Sequence, residues 1–126
     1  AWLFTSEDIM DLNQAIEKHA EWKVKFRSAI AKKESMDAGT ISKDNCCELG
    51  KWLHGVGRAK FSNLPSFKNC VLNHVRFHIE AGKIAQTINF KKYTEAETML
   101  SNGTPYSLAS NEVGTAIIQL KKEAQI

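Results

Sequence analysis

Apolar positions recur along most of this chain in alternating steps of three and four. Ile9, Leu12, Ile16, His19, Lys23, Phe26 and Ile30 keep one register, which predicts a helix with an inward seam of the kind that packs a bundle. Ser6 stands ahead of it as N-cap, with the acids Glu7 and Asp8 just behind. The pattern fades near Ser35, before DAGT. A second series, Phe67, Val71, His74, His78, Ala81, Ala85 and Ile88, follows Pro65, a residue suited to a first helical turn. Between the two series, TISKDN ends in cap-type residues and opens a short helix over Cys47 to Leu53, which the two glycines of HGVGR break. Tyr93 to Leu100 reads as a shorter helix ended by SNG. Thr104 and Pro105 open the last helix, with Val113, Ile117, Leu120 and Ala124 inward and Lys121 and Lys122 at its negative end. Prolines number only two and β-branched runs are short. The expected fold is all-α, an antiparallel four-helix bundle with an extra short helix in the long second connection.

Histidine interrupts both long seams at places where an aliphatic side chain belongs. His74 and His78 lie four apart on one face, and His19 holds a core position on the first helix. Neighbouring bundle helices pack about 8–10 Å apart, so these imidazoles can converge on one point. One inward histidine is ordinarily a core residue bonded to a carbonyl or a water. Three would cost several kcal/mol together unless each found a partner, and a metal ion satisfies all three at once. An i, i+4 histidine pair suits Zn²⁺, and a closed tetrahedral site needs a fourth ligand. NCCELGKWLHG offers Cys47 in the first turn of the short helix, where the dipole and free N–H groups lower a thiol's pKa. Gly50 allows close approach of that helix to the bundle, and Trp52 and Leu53 anchor it. Cys70, one turn before His74, is a rival ligand. Cys46 reads as a small buried residue or an exposed one, and His54 as a surface residue.

Size and charge narrow the functional classes. With 126 residues, 43% of them hydrophobic, the chain fits one globular domain. Its 17 Lys+Arg against 14 Asp+Glu leave a net charge of +3 spread along the sequence. No basic block interleaved with aromatics points to nucleic acid. No stretch of about 18 apolar residues points to a membrane span, and no signal peptide is expected. Three cysteines, two of them adjacent, do not make a disulfide framework, which favours reduced thiols in the cytosol. The AWLF start, without methionine, reads as a domain cut from a longer protein or a processed end.

These residues together resemble a known family, the chemoreceptor zinc-binding domain. Its pattern pairs a histidine with a tryptophan three positions on, here His19 and Trp22. It continues with a Cys-x-Leu-Gly-x-Trp-Leu core, here CELGKWL from Cys47 to Leu53, and a His-x-x-x-His pair, here HVRFH from His74 to His78, with Phe77 between. The similarity spans roughly Leu12 to Ala85. By this resemblance Cys47 is the thiol ligand, while Cys46 and Cys70 have no place in the motif. It implies one Zn²⁺ per chain held by His19, Cys47, His74 and His78, with Trp22, Gly50, Trp52 and Phe77 packing around them. It also implies a bacterial cytoplasmic homodimer attached to a chemoreceptor or diguanylate cyclase output domain; the AWLF start favours a preceding domain, and so the C-terminal part of a longer signalling protein. Such domains are linked to sensing of zinc and of hypochlorous acid.

Four protein ligands leave no open coordination position, which argues against hydrolytic catalysis. The expected function is therefore a zinc-thiolate switch: oxidation of Cys47 makes it a poorer ligand and frees the short helix. A zinc-stabilised structural dimerisation module is the alternative. A three-histidine site with a bound water, which would be catalytic, ranks behind both.

Overall fold

The computed structural model describes residues 10–126. Among the described residues every regular element is a helix: α1 (Leu12–Lys32), α2 (Ala38–Ile41), α3 (Glu48–His54), α4 (Val56–Phe61), α5 (Pro65–Asn89), α6 (Tyr93–Met99) and α7 (Pro105–Ala124). The long helices are α1, α5 and α7, with 21, 25 and 20 residues.

Helix α1 opens later than the pattern suggests. Ser6, Glu7, Asp8 and Ile9 lie outside the described residues; the helix begins at Leu12, where Asp11 accepts the Gln14 N–H at 3.0 Å. Its buried stripe is Leu12, Ala15, His19, Phe26 and Ala29, with Trp22 half-buried among them. Ile16, Lys23 and Ile30 stand on the flank, half-buried. The expected seam and the observed one share Leu12, His19 and Phe26. They part at Ala15 and Ala29, small residues that a hydrophobicity pattern discounts and a close helix contact selects. On α5 the expected Phe67, His74, His78, Ala81, Ala85 and Ile88 are buried, and so are Cys70, Phe77, Gly82 and Ile84. Its buried face is wide because it is covered from two sides.

Side-chain pairs fix the helix directions. Ser66, at the start of α5, donates through N–H and Oγ to Glu123 near the end of α7, at 3.0 and 2.6 Å. Arg76 then meets Glu112 at 3.1 Å, so α5 and α7 are antiparallel. Lys121 donates to Asn13 at 3.0 Å, and the Phe26 and Tyr106 rings meet edge-on at 5.8 Å, so α1 also runs against α7. Hence α1 and α5 are parallel, and the chain must travel back between them. It does so along α5 in broken helices. Met36 and Asn89 exchange two hydrogen bonds of 2.8 Å. Further down, the Ile41 carbonyl accepts from His78, Cys47 reaches His74, and Trp52 packs on Phe67. Ser42 crosses α5 at Gly82, where an added Cβ would fall 2.6 Å from the serine's own Cβ; only glycine admits that approach. Helix α6 instead sits where α1 ends, touching α1, α5 and α7, with Glu97 3.8 Å from Arg27.

The short helices depart from expectation by a few residues. Cys47 is the N-cap of α3 rather than part of its first turn. Gly55 alone breaks the segment, and α4 restarts at Val56, an element absent from the sequence reading.

Candidate metal centre

Four side chains from three elements meet at one point. His19 projects from the middle of α1, His74 and His78 from one face of α5, and Cys47 from the N-cap of α3. One ligand atom from each lies within 4.8 Å of all the others. His74 Nε2 stands 3.1 Å from His19 Nε2, 3.1 Å from His78 Nε2 and 3.2 Å from Cys47 Sγ. Cys47 Sγ is 3.6 Å from His78 Nε2 and 4.0 Å from His19 Nε2. The imidazoles are 5%, 0% and 2% exposed for His19, His74 and His78, so bulk solvent does not satisfy them.

Backbone carbonyls set the tautomers. His19 Nδ1 lies 2.7 Å from the Ala15 carbonyl, and His78 Nδ1 lies 2.8 Å from the Ile41 carbonyl. A carbonyl only accepts, so both Nδ1 atoms carry the proton and both Nε2 atoms turn a lone pair to the centre. His74 differs: its Nδ1 is buried without a hydrogen-bond partner, so its polar contacts all fall on the Nε2 side. Burial holds these rings neutral. It lowers His19 to about 4 and His74 to about 2, with the adjacent imidazoles adding to the second, and it lowers His78 as well.

Cys47 corrects one expectation. The helix N-terminus was expected to lower its thiol, and the N–H groups of Gly50 and Leu49 do act in that direction, but burial outweighs them and the thiol is raised. In the metal-free protein Cys47 is a neutral thiol, and it needs a cation beside it to become a thiolate. The Gly50 N–H donates to Cys47 Sγ at 3.3 Å. Gly50 itself serves a different approach from the one expected: a Cβ there would fall 1.7 Å from the Asp44 carbonyl oxygen. The glycine lets the loop before Cys47 fold over α3.

The donor set fits a tetrahedral metal. Nitrogens at about 2.0–2.1 Å and sulfur at about 2.3 Å from a centre give edges of about 3.3–3.6 Å; five of the six edges here run from 3.1 to 4.0 Å, and all lie within 4.8 Å. Three imidazoles and one thiol are a zinc-type set.

Around the ligands, Phe77 packs edge-on against His19 and His78 at 5.1 and 5.4 Å and forms the apolar wall of the site. Trp52 holds α3 in place against Phe61 and Phe67. Trp22 packs on Phe26 and lines, with Lys18, His19 and Cys47, a cavity of about 360 Å³ that reaches the half-buried sulfur. Cys70 is buried outside the cluster, where burial pushes its thiol to about 12, and this removes it as a rival ligand. Cys46 is exposed, its sulfur 3.5 Å from Asn45 Oδ1. His54 is exposed as expected, yet its ring meets Asp44 at 2.7 Å, a clasp across α3 that sequence reasoning missed. The orienting carbonyls of Ala15 and Ile41 were missed too, because a backbone group leaves no trace in residue identity.

A family model described as the chemoreceptor zinc-binding domain matches residues 19–85, just over half of the chain. Neither the curated proteins nor the solved structures contain a match.

Proposed function

Because the chain belongs to the chemoreceptor zinc-binding domain family, with one zinc ion per chain as its cofactor, we infer that it is a regulatory domain whose signal is read at Cys47. Zinc, when bound, holds the Cys47 sulfur as a thiolate and draws α1, α3 and α5 to one point. The observation that carries the reading is the pair of carbonyl-fixed tautomers, which aim two lone pairs at the point that the Cys47 sulfur also faces. His19, Cys47, His74 and His78 are the ligands in this reading, and Phe77 walls His19 and His78 on one side.

Cys47 is the only one of the four that an oxidant readily changes. Its sulfur is half-buried and opens on a cavity, so hypochlorous acid can reach it without parting the core. Oxidation to the sulfenic acid makes it a poorer ligand. Its departure also removes the N-cap of α3, so the segment before and within that helix is released. A shift of about 1–3 kcal/mol between the two arrangements suffices for an allosteric output. We read the architecture as a four-helix bundle whose fourth wall is the broken run from α2 to α4, the part that Cys47 tethers. Four protein ligands would leave no open position for substrate, which supports a regulatory zinc over a hydrolytic one.

Context follows from the family. The domain fits the cytoplasmic part of a bacterial chemoreceptor or diguanylate cyclase, and no described helix is long and apolar enough to cross a membrane. Leu72 and Ile79 on α5 and Leu108 and Ile118 on α7 are exposed, in keeping with a homodimer.

The test is metal content and its response to oxidant. His19→Ala, His74→Ala and His78→Ala should each weaken zinc binding by tenfold or more, on the order of a lost ligand. Cobalt substitution should give the absorption of a thiolate ligand in wild type and not in Cys47→Ser. Hypochlorous acid should release zinc from wild type. Equal release from Cys47→Ser would overturn the switch, and an inert site in both proteins would favour a structural zinc.

A further inference from the structure

Cys46 takes no part in the ligand cluster. It lies next in the chain to Cys47, exposed, with its sulfur engaged at the surface by Asn45 at 3.5 Å. We propose that Cys46 is the resolving thiol for Cys47, and that oxidation ends in a reversible disulfide between the two neighbours. The inference rests on the reading of Cys47 as the oxidised ligand.

The chemistry needs one two-electron oxidant, hypochlorous acid. Cys47 thiolate attacks its oxygen: an S–O bond forms, the O–Cl bond breaks, sulfur loses two electrons and chloride departs with them. The Cys46 thiol then attacks the Cys47 sulfur. The S–S bond forms, the S–O bond breaks, and the hydroxide leaves with the Cys46 proton as water.

Three features of the structure favour this course. First, both partners are reachable: Cys46 is exposed, and Cys47 lines the cavity beside Lys18 and Trp22. Second, Cys70 cannot compete, being fully buried in the α5 core and outside the cluster. Third, the order of events is built in. Cys47 Sγ is engaged with the imidazoles and the Gly50 N–H, whereas Cys46 Sγ faces Asn45 at the surface. The two sulfurs meet only after Cys47 has left the cluster.

Geometry then makes the product short-lived. Neighbouring Cα atoms stand about 3.8 Å apart, below the roughly 4.4–6.8 Å that an unstrained disulfide spans. A bond formed there is strained and therefore easily reduced. Cys46 thus diverts Cys47 from irreversible sulfinic acid and lets a dithiol reset the site.

The experiment treats the full zinc-loaded chain with one equivalent of hypochlorous acid, blocks free thiols, and maps peptides by mass. Wild type should show a Cys46–Cys47 link that dithiothreitol removes, and should rebind zinc afterwards. Cys46→Ser should release zinc as readily, but its Cys47 should pass to sulfinic acid and most of the zinc recovery should be lost. Cys70→Ser should behave as wild type. Cys47 oxidised and zinc released without the 46–47 link, or a link joining Cys46 of two chains, overturns this inference alone. Zinc retained with Cys47 unmodified in both wild type and Cys46→Ser overturns the underlying reading and the inference with it.

Discussion

A carbonyl oxygen that accepts from Nδ1 decides what a histidine offers at Nε2, and at His19 and His78 this fixes the polarity of the whole centre. The same burial has a consequence for the metal-free protein. Folded His19 sits at about 4 and folded His74 at about 2, while the unfolded chain takes up the proton at about 6.5. Below pH 6.5 the unfolded state therefore binds more protons, and stability falls as the pH drops. The chelated protein should show a thermal midpoint that declines between pH 6.5 and 4, and His74→Gln should flatten that decline; an unchanged slope would mean the imidazole is not buried neutral. Glycines give a paired test. Gly50→Ala drives a Cβ into the Asp44 carbonyl, so it should cost at least the ~1–3 kcal/mol of an overpacked site and weaken zinc binding by displacing Cys47. Gly114, inside α7, has open space at that position, and Gly114→Ala should stabilise by about 0.5–1 kcal/mol. Thermal unfolding of both variants checks the pair. At this scale the sequence was most legible where a residue broke its own pattern. Imidazoles on apolar seams announce themselves, whereas Ala15 and Ile41 orient the rings through backbone carbonyls, which residue identity does not show.

At the scale of elements, α3 shows how a ligand and a cap can be one atom. Cys47 Sγ accepts the Gly50 N–H and also faces the three imidazoles. Serine is a strong N-cap and a poor zinc ligand, so Cys47→Ser separates the two roles. Its metal-free form should be as stable as metal-free wild type or more so, while the gain on adding zinc should nearly vanish. Cys47→Ala should lose the zinc gain and about 1 kcal/mol of cap as well. Calorimetry with and without zinc on the two variants distinguishes them; a serine variant as unstable as the alanine one would mean the cap contact carries no weight. The long helices were legible because twenty or more residues let the three-and-four stepping accumulate. Helices α2 and α4 were not, with four and six residues. Propensity over so few positions says little, and their place is set by packing along α5. The start of α1 shows the same limit: local cap chemistry suited Ser6, and Asp11 offers an equally good oxygen.

Across the whole molecule, the metal and the hydrophobic core hold different parts of the chain. Phe26, Phe77, Ile84, Ile88, Ile117 and Leu120 are fully buried, and each contributes about 1.5–3 kcal/mol on burial; they lie on α1, α5 and α7. The run from α2 to α4 is made of short pieces whose buried side chains include Ile41, Leu49, Trp52 and Leu53, and Cys47 is the residue through which it would bind the metal. Removing zinc should therefore not unfold the protein evenly. At a free zinc concentration a hundredfold above Kd the ion adds about 2.7 kcal/mol to the folded state, and most of that should be withdrawn from one segment. Hydrogen exchange after chelation should accelerate strongly in residues 38–61, modestly around His19 and His74, and least in α7, which supplies no ligand. Phe77→Ala, which opens the wall of the site at a cost of about 3–5 kcal/mol, should instead speed exchange in α1, α5 and α7 together. If chelation loosens α7 as much as residues 38–61, the metal is a general staple. If it loosens the broken run alone, that run is the moving part, and the three long helices are the frame against which its movement is felt.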